Sequence, residues 1–132
     1  MPPANESYNI EFNAKNLSAH NRYRDMHGAR LLQLDVQQAE NAQAYANTMA
    51  KYDLFKHSTV SGLGGCGESI YKLTMAGGLA ESYFATSETM TNDFYSEITN
   101  YKFSAGMGSI ATENFTSMIW NGSTTVGFGV SG

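Results

Sequence analysis

Between Val36 and Asp53 the small residues keep to one side. Val36, Ala39, Ala42, Ala46, Met49 and Ala50 recur at three- and four-residue spacings, which a helix turns into a single face. A face made mostly of alanine has little bulk, so the element that packs on it must come close. Asp35 can cap the start, with Gln38 three residues on to reach back. A helix is therefore expected over about 36–53. Near the end of the chain, Val126, Phe128 and Val130 alternate with Gly127 and Gly129. That pattern predicts a strand over 124–130 on which another backbone or side chain lies close.

The remaining elements follow from the same periodicities. Ile10, Ala14, Leu17 and Asn21 recur at helical spacing and Gly28 follows as a stop, giving a helix over 10–27. Residues 59–67 are rich in Gly and Ser and read as a loop. From Glu68 to Thr74 the residues alternate, which predicts a strand. Met90, Phe94, Ile98 and Tyr101 mark a helix over 86–99, and Thr112 can cap a short helix holding Phe115, Met118 and Ile119. Residues 1–9 read as a flexible arm, leaving 10–132 as one α/β domain with helices packed on a small sheet. The strand at 124–130 ends the chain without the hairpin partner expected after it. Either a strand is missing or an edge is left open for a partner.

A chain of 132 residues can bury a real core. Its apolar fraction of 42% and mean hydropathy of −0.34 are those of a water-soluble globular protein. The net charge of −4 and the scattered Lys and Arg supply neither the basic footprint that nucleic acid needs nor a polybasic membrane patch. No apolar run approaches the ~20 residues of a spanning helix. The first residues have no basic n-region or apolar h-region, and Pro2 stands where N-myristoylation needs Gly. Cys66 is the single cysteine, so no internal disulfide is possible. A cytoplasmic location is expected, with a secreted one as the alternative. Asn5, Asn16, Asn114 and Asn121 each open an Asn-x-Ser/Thr sequon, which chance alone explains in a chain this rich in Asn, Ser and Thr.

Few residues stand out for chemistry. Glu97 lies beside the apolar stripe of its helix, three residues after Phe94, so partial burial and a hydrogen-bonding partner are expected. His57 and Glu68 are each ordinary alone, and Asn114 suits a helix start. His57 with Glu68 or Glu97 makes either a base–orienter pair or a polar network that pins the core; the network is favoured. One imidazole and two carboxylates are a thin zinc set, because Asn114 offers only a neutral amide oxygen. No Gly-x-Ser-x-Gly elbow is present. Cys66 lacks a basic neighbour to lower its pKa. His20, Asn21 and Arg24 form a polar cluster on the first helix, read as structural, with Asn21 bonding buried backbone. Most of the dense aromatics, a set that includes Trp120, are expected in the core, while a groove lined by Tyr and Phe would suit an apolar ligand or a peptide.

Several short islands keep one order: Ala19-His20-Asn21-Arg22-Tyr23-Arg24 with His27-Gly28, then Lys56-His57-Ser58, Gly65-Cys66-Gly67-Glu68-Ser69-Ile70-Tyr71, Phe94-Tyr95-Ser96-Glu97, and Asn114-Phe115-Thr116-Ser117-Met118-Ile119-Trp120. In these the chain resembles the CAP superfamily of cysteine-rich secretory proteins, antigen 5 and pathogenesis-related 1 proteins. Within it the chain is similar to the Golgi-associated plant pathogenesis-related branch, which is small and lacks the disulfides of secreted members. The resemblance implies a three-layer α–β–α sandwich. It also implies a central cavity defined by two His and two Glu, which fall here on His57, Glu68, Glu97 and, in place of the second His, Asn114. In the family at least one more strand follows the position of Gly132.

The resemblance implies a binding or signalling module without enzymatic activity, acting through protein, lipid or sterol contacts. A homo-oligomer or protein partner is expected. No cofactor is required, and a weak zinc site resting on His57 is the most that the cavity suggests. The alternatives are a structural subunit of a larger assembly and a weak metal-dependent hydrolase.

Overall fold

The computed structural model describes residues 7–58, 67–72, 86–100, 112–120 and 122–132. Helix α1 spans Ile10–Met26; Asn9 caps it by accepting from the Phe12 amide at 2.9 Å. Strand β1 is Gln33–Leu34, α2 is Val36–Tyr52, and α3 is Thr89–Ser96, continued by a 3₁₀ turn over Glu97–Asn100. Helix α4 is Glu113–Met118 and strand β2 is Thr125–Val126. Among the described residues the sheet is the parallel pair β1–β2, with Gln33 opposite Thr125 and Leu34 opposite Val126. No described helix is long and apolar enough to cross a membrane.

The buried face of α1 is more polar than its periodicity suggested. Phe12, Asn13, Asn16, Ala19, His20 and Arg24 point inward, whereas Ile10 and Ala14 are exposed. The expected stripe was thus displaced around the helix, because carboxamides and a guanidinium take core positions usually given to apolar groups. On α2, Ala39 and Gln43 are buried, Ala42, Ala46, Met49 and Ala50 half-buried, and Val36 exposed. Asp35 caps the helix through the Gln38 amide at 2.9 Å, but the Gln38 side chain does not reach back; it donates to Thr125 Oγ1 at 2.8 Å.

The terminal segment explains both the glycines and the alanines. A Cβ on Gly127 would stand 2.1 Å from Ala39 N, and one on Gly129 2.3 Å from the Ala42 carbonyl carbon. Phe128 and Val130 enter the core with Phe12, Met90, Phe94 and Met118, and half-buried Val126 packs against it. Beyond Val126 the ladder gives way to side chains. Asn13 accepts from the Phe128 amide at 2.8 Å and donates to its carbonyl at 2.9 Å. Gln43 does the same for Val130, at 3.2 and 2.7 Å. A carboxamide presents the donor and acceptor of a neighbouring strand, so each satisfies backbone that would otherwise be buried unpaired.

Four further expectations need correction or limits. Residues 68–72 form no strand, because Glu68 is held by side-chain bonds and Tyr71 packs edge-on against Phe94 in place of a ladder; residues 73 and 74 lie outside the described set. The third helix starts at Thr89, not 86, and Tyr101 lies outside the description. Thr112 holds the cap position of α4 without a side-chain capping bond. Of the arm over 1–9, residues 1–6 lie outside the description, while Ser7 donates to Glu40 and Asn9 caps α1.

Candidate functional site

The four residues singled out for the cavity form two closed pairs. At the end of the segment after α2, His57 Nδ1 lies 2.8 Å from Glu68 Oε1. The Ser58 amide donates to that same oxygen at 2.8 Å, and the Ser58 hydroxyl donates to Oε2 at 2.6 Å. Burial pushes the Glu68 carboxyl toward a higher pKa, but the Ser58 hydroxyl and amide and the His57 ring favour the anion. Together they hold it below the usual carboxylate value. His57 itself is open to solvent, with its side chain 59% exposed against 15% for Glu68.

The second pair joins the end of α3 to the start of α4. Asn114 Nδ2 donates to Glu97 Oε2 at 2.9 Å, and the Phe115 amide donates to Oε1 at 3.0 Å. An amide nitrogen in the first turn of α4 has no partner within the helix, so Glu97 caps α4 from outside. Asn114 acts as a donor to a carboxylate, not as a helix cap. Both Glu97 oxygens are therefore occupied by N–H groups.

His57, Glu68 and Asn114 line one open cleft of about 1630 Å³; Glu97 is not among its lining residues. Among the described hydrogen bonds none links the two pairs. Ser58, Ser69, Ser117 and Thr116 also face this cleft. The Thr116 hydroxyl is buried without a hydrogen-bond partner. Leu54, Phe55 and Trp120 add exposed apolar surface to the same cleft, so Trp120, at 61% exposure, stands apart from the aromatics that fill the core. Tyr52 is exposed too, while Phe94 and Phe115 are buried. Tyr83, Phe84 and Phe103 lie outside the described residues.

The donor set does not suit zinc. A tetrahedral site needs several anionic or imidazole ligands converging on one point. Among the described residues no three His, Cys, Asp or Glu side chains gather in that way. His57 and Glu68 meet, but Glu97 is turned to the amides of Asn114 and Phe115, and Asn114 offers its N–H face to Glu97. Cys66 lies outside the described residues.

The cluster on α1 holds the frame around the cleft. Arg24 is 0% exposed. Its guanidinium donates to four carbonyls: Arg30 at 2.6 Å, Met118 at 2.9 Å, Trp120 at 3.0 Å and Ser123 at 3.2 Å. Met118 ends α4, so the buried cation also meets the negative end of that helix. Burial lowers the Arg24 pKa from its ordinary value. Asn21 grips Leu32 as Asn13 grips Phe128, accepting from its amide at 2.7 Å and donating to its carbonyl at 3.0 Å. His20 lies against Asn16 O at 2.9 Å, Thr91 Oγ1 at 3.1 Å and the Phe128 ring, with centroids 4.9 Å apart. Burial, more than the nearby Arg24 charge, lowers its pKa to about 4 against the opposing bond to Asn16.

Sequence reasoning missed three contributors. Asn13 and Gln43 carry no signal of their own in the sequence, and only the need of segment 127–130 for backbone partners hints at them. His27 was quoted in the islands without a role. Its Nε2 lies 2.8 Å from the Tyr95 hydroxyl, and its ring meets Tyr95 and Phe115 edge-on, centroids 5.7 Å away in each case. Tyr95 in turn stacks on Tyr23 at 3.8 Å.

Comparison with known proteins agrees with the island pattern. The family model for the cysteine-rich secretory protein (CAP) family matches residues 17–132. A human protein, Golgi-associated plant pathogenesis-related protein 1, is 33% identical over 124 residues, spanning 94% of this chain and 75% of its own length.

Proposed function

The chain belongs to the CAP family, and from that premise we propose that it is a binding module without enzymatic activity, acting through protein or lipid and sterol contacts around a degenerate central cavity. The observation that carries the reading is the commitment of the cavity groups to one another. Both Glu97 oxygens accept from amides, and both Glu68 oxygens accept from Ser58, with His57 on one of them. Catalysis by nucleophile and base needs a hydroxyl or thiol placed against the imidazole. Ser58 is turned to Glu68.

In this reading His57, Glu68 and Asn114 bound the cavity, Glu97 holds Asn114 from behind its wall, and residues 10–132 form one domain. The three-layer α–β–α arrangement is supported by the two faces of the terminal segment. Its glycines lie on α2, while Phe128 and Val130 face α1, α3 and α4. The polar pairs hold the walls, and the aromatic and hydroxyl groups of the cleft supply contacts. A cytoplasmic site of action accompanies this reading, since one cysteine allows no stabilising disulfide.

The test joins a hydrolysis screen on aryl esters and casein to vesicle flotation with and without sterol. The expected result is no turnover above buffer, with saturable capture on vesicles or a defined protein complex. Hydrolysis that disappears in His57→Ala and Glu97→Gln contradicts the reading.

A further inference from the structure

Asn16 opens the sequon Asn16-Leu17-Ser18, one of four in the chain. N-glycosylation is a group transfer. The amide Nδ2 loses a proton and bonds the anomeric carbon of a sugar, whose bond to the diphosphate of a lipid carrier breaks. The modified amide keeps a single N–H and carries a bulky polar ring, which is tolerated at a surface.

The fold leaves Asn16 room for neither change. The residue is 0% exposed. Both amide hydrogens are in use: Nδ2 donates to Phe12 O at 2.8 Å and to Ser87 O at 3.2 Å. Its Oδ1 accepts from Thr91 Oγ1 at 2.6 Å. This one side chain thus ties α1 to α3 and to the segment leading into it. A glycan would remove one of two buried donors and insert a sugar where there is no free surface. Ser18, whose hydroxyl completes the sequon, is exposed and can be changed without touching that network.

We propose that glycan transfer at Asn16 is incompatible with this fold, so that the chain reaches its native state only where no oligosaccharyl transferase meets it before folding. The claim goes beyond the binding reading and rests on none of the cavity residues.

The test uses two chains that differ by one exposed hydroxyl. Ser7→Ala, Thr116→Ala and Ser123→Ala together leave Asn16 as the only sequon; adding Ser18→Ala removes that one as well. Each full chain is translated behind a cleavable secretion signal, with and without transferase-bearing microsomes. Peptide mass gives Asn16 occupancy, and the half-life in thermolysin gives folding. Without microsomes both chains resist digestion equally. With microsomes the chain keeping Ser18 is modified at Asn16 and is digested roughly tenfold faster or more, whereas its partner stays resistant. A glycosylated Asn16 in a resistant chain overturns the proposal. So does a resistant translocated chain with Asn16 unmodified, or equal digestion of both chains after translocation. If the triple background itself fails without microsomes, Thr116→Val replaces Thr116→Ala and Asn121→Gln replaces Ser123→Ala, so that Asn16 is still the only sequon and the same criteria decide.

Discussion

Lowering the pH should weaken this protein well above the range where carboxylates titrate, and His20 is the cause. The Asn16 carbonyl can only accept, so Nδ1 carries the proton of the neutral ring, and the Thr91 hydroxyl gives its own proton to Asn16 Oδ1. A second ring proton would place a charge in a site 7% exposed, on the same helix as the buried Arg24 cation. Burial is the main reason that the pKa is lowered from 6.5 to about 4. Well above pH 6.5 the ring is neutral folded or unfolded and contributes no pH dependence. Between 6.5 and 4 the unfolded chain binds a proton that the folded chain refuses. Stability therefore falls by about 2 kcal/mol from pH 7 to 5, and by about 3 kcal/mol at pH 4, where the decline levels off. Glu68 acts in a lower window. Its depressed pKa adds stability above the ordinary value of 4.5, and that contribution is lost as pH falls further. Urea unfolding followed by circular dichroism between pH 7 and 5 isolates the histidine. His20→Gln should flatten that slope while lowering stability at pH 7 through lost packing. A flat native profile over this range, or a slope that survives in His20→Gln, refutes the assignment.

Three further substitutions probe the frame around the cleft. Gly127→Ala drives a methyl group into the α2 backbone at Ala39 and should cost about 3 kcal/mol, read as a fall in urea midpoint. Arg24→Met leaves the carbonyls of Arg30, Met118, Trp120 and Ser123 without their donor and should cost about 3–5 kcal/mol. Arg24→Lys should recover only part, because an ammonium cannot span the same four acceptors. Asn114→Asp sets a carboxylate against Glu97 and should destabilise the fold by about 1–2 kcal/mol at pH 7, with Asn114→Ala nearer neutral.

The helices were legible because their signals are local. Asp35 and Gly28 mark ends, and Ala39 to Ala50 mark a face. The close approach at Gly127 and Gly129 was legible for the same reason: a missing side chain shows directly in sequence. What covers them was not, since pairing α2 with the terminal segment spans more than eighty residues. The polar core of α1 hid behind its chemistry. Asn13 and Asn16 look like solvent-facing residues until the carbonyls they serve are in place, whereas the structural role of His20, Asn21 and Arg24 could be read from their clustering. The partner of β2 was invisible because Gln33–Leu34 is too short to show alternation. The alternation at 68–72 misled, since it reflects the clasp on Glu68 and the packing of Tyr71. Of the site, the partial burial of Glu97 and the pairing of His57 with a carboxylate could be read; the capture of Glu97 by Asn114 could not.

Zinc calorimetry on the purified chain at pH 7 tests the commitment of the cavity groups to one another most directly. Two self-satisfied pairs predict no saturable heat at micromolar zinc, and Asn114→His should gain a response that His57→Ala removes again. A one-to-one isotherm with sub-micromolar affinity in the native chain, lost in Glu97→Gln, would show that the carboxylates are free to converge and that the account is wrong.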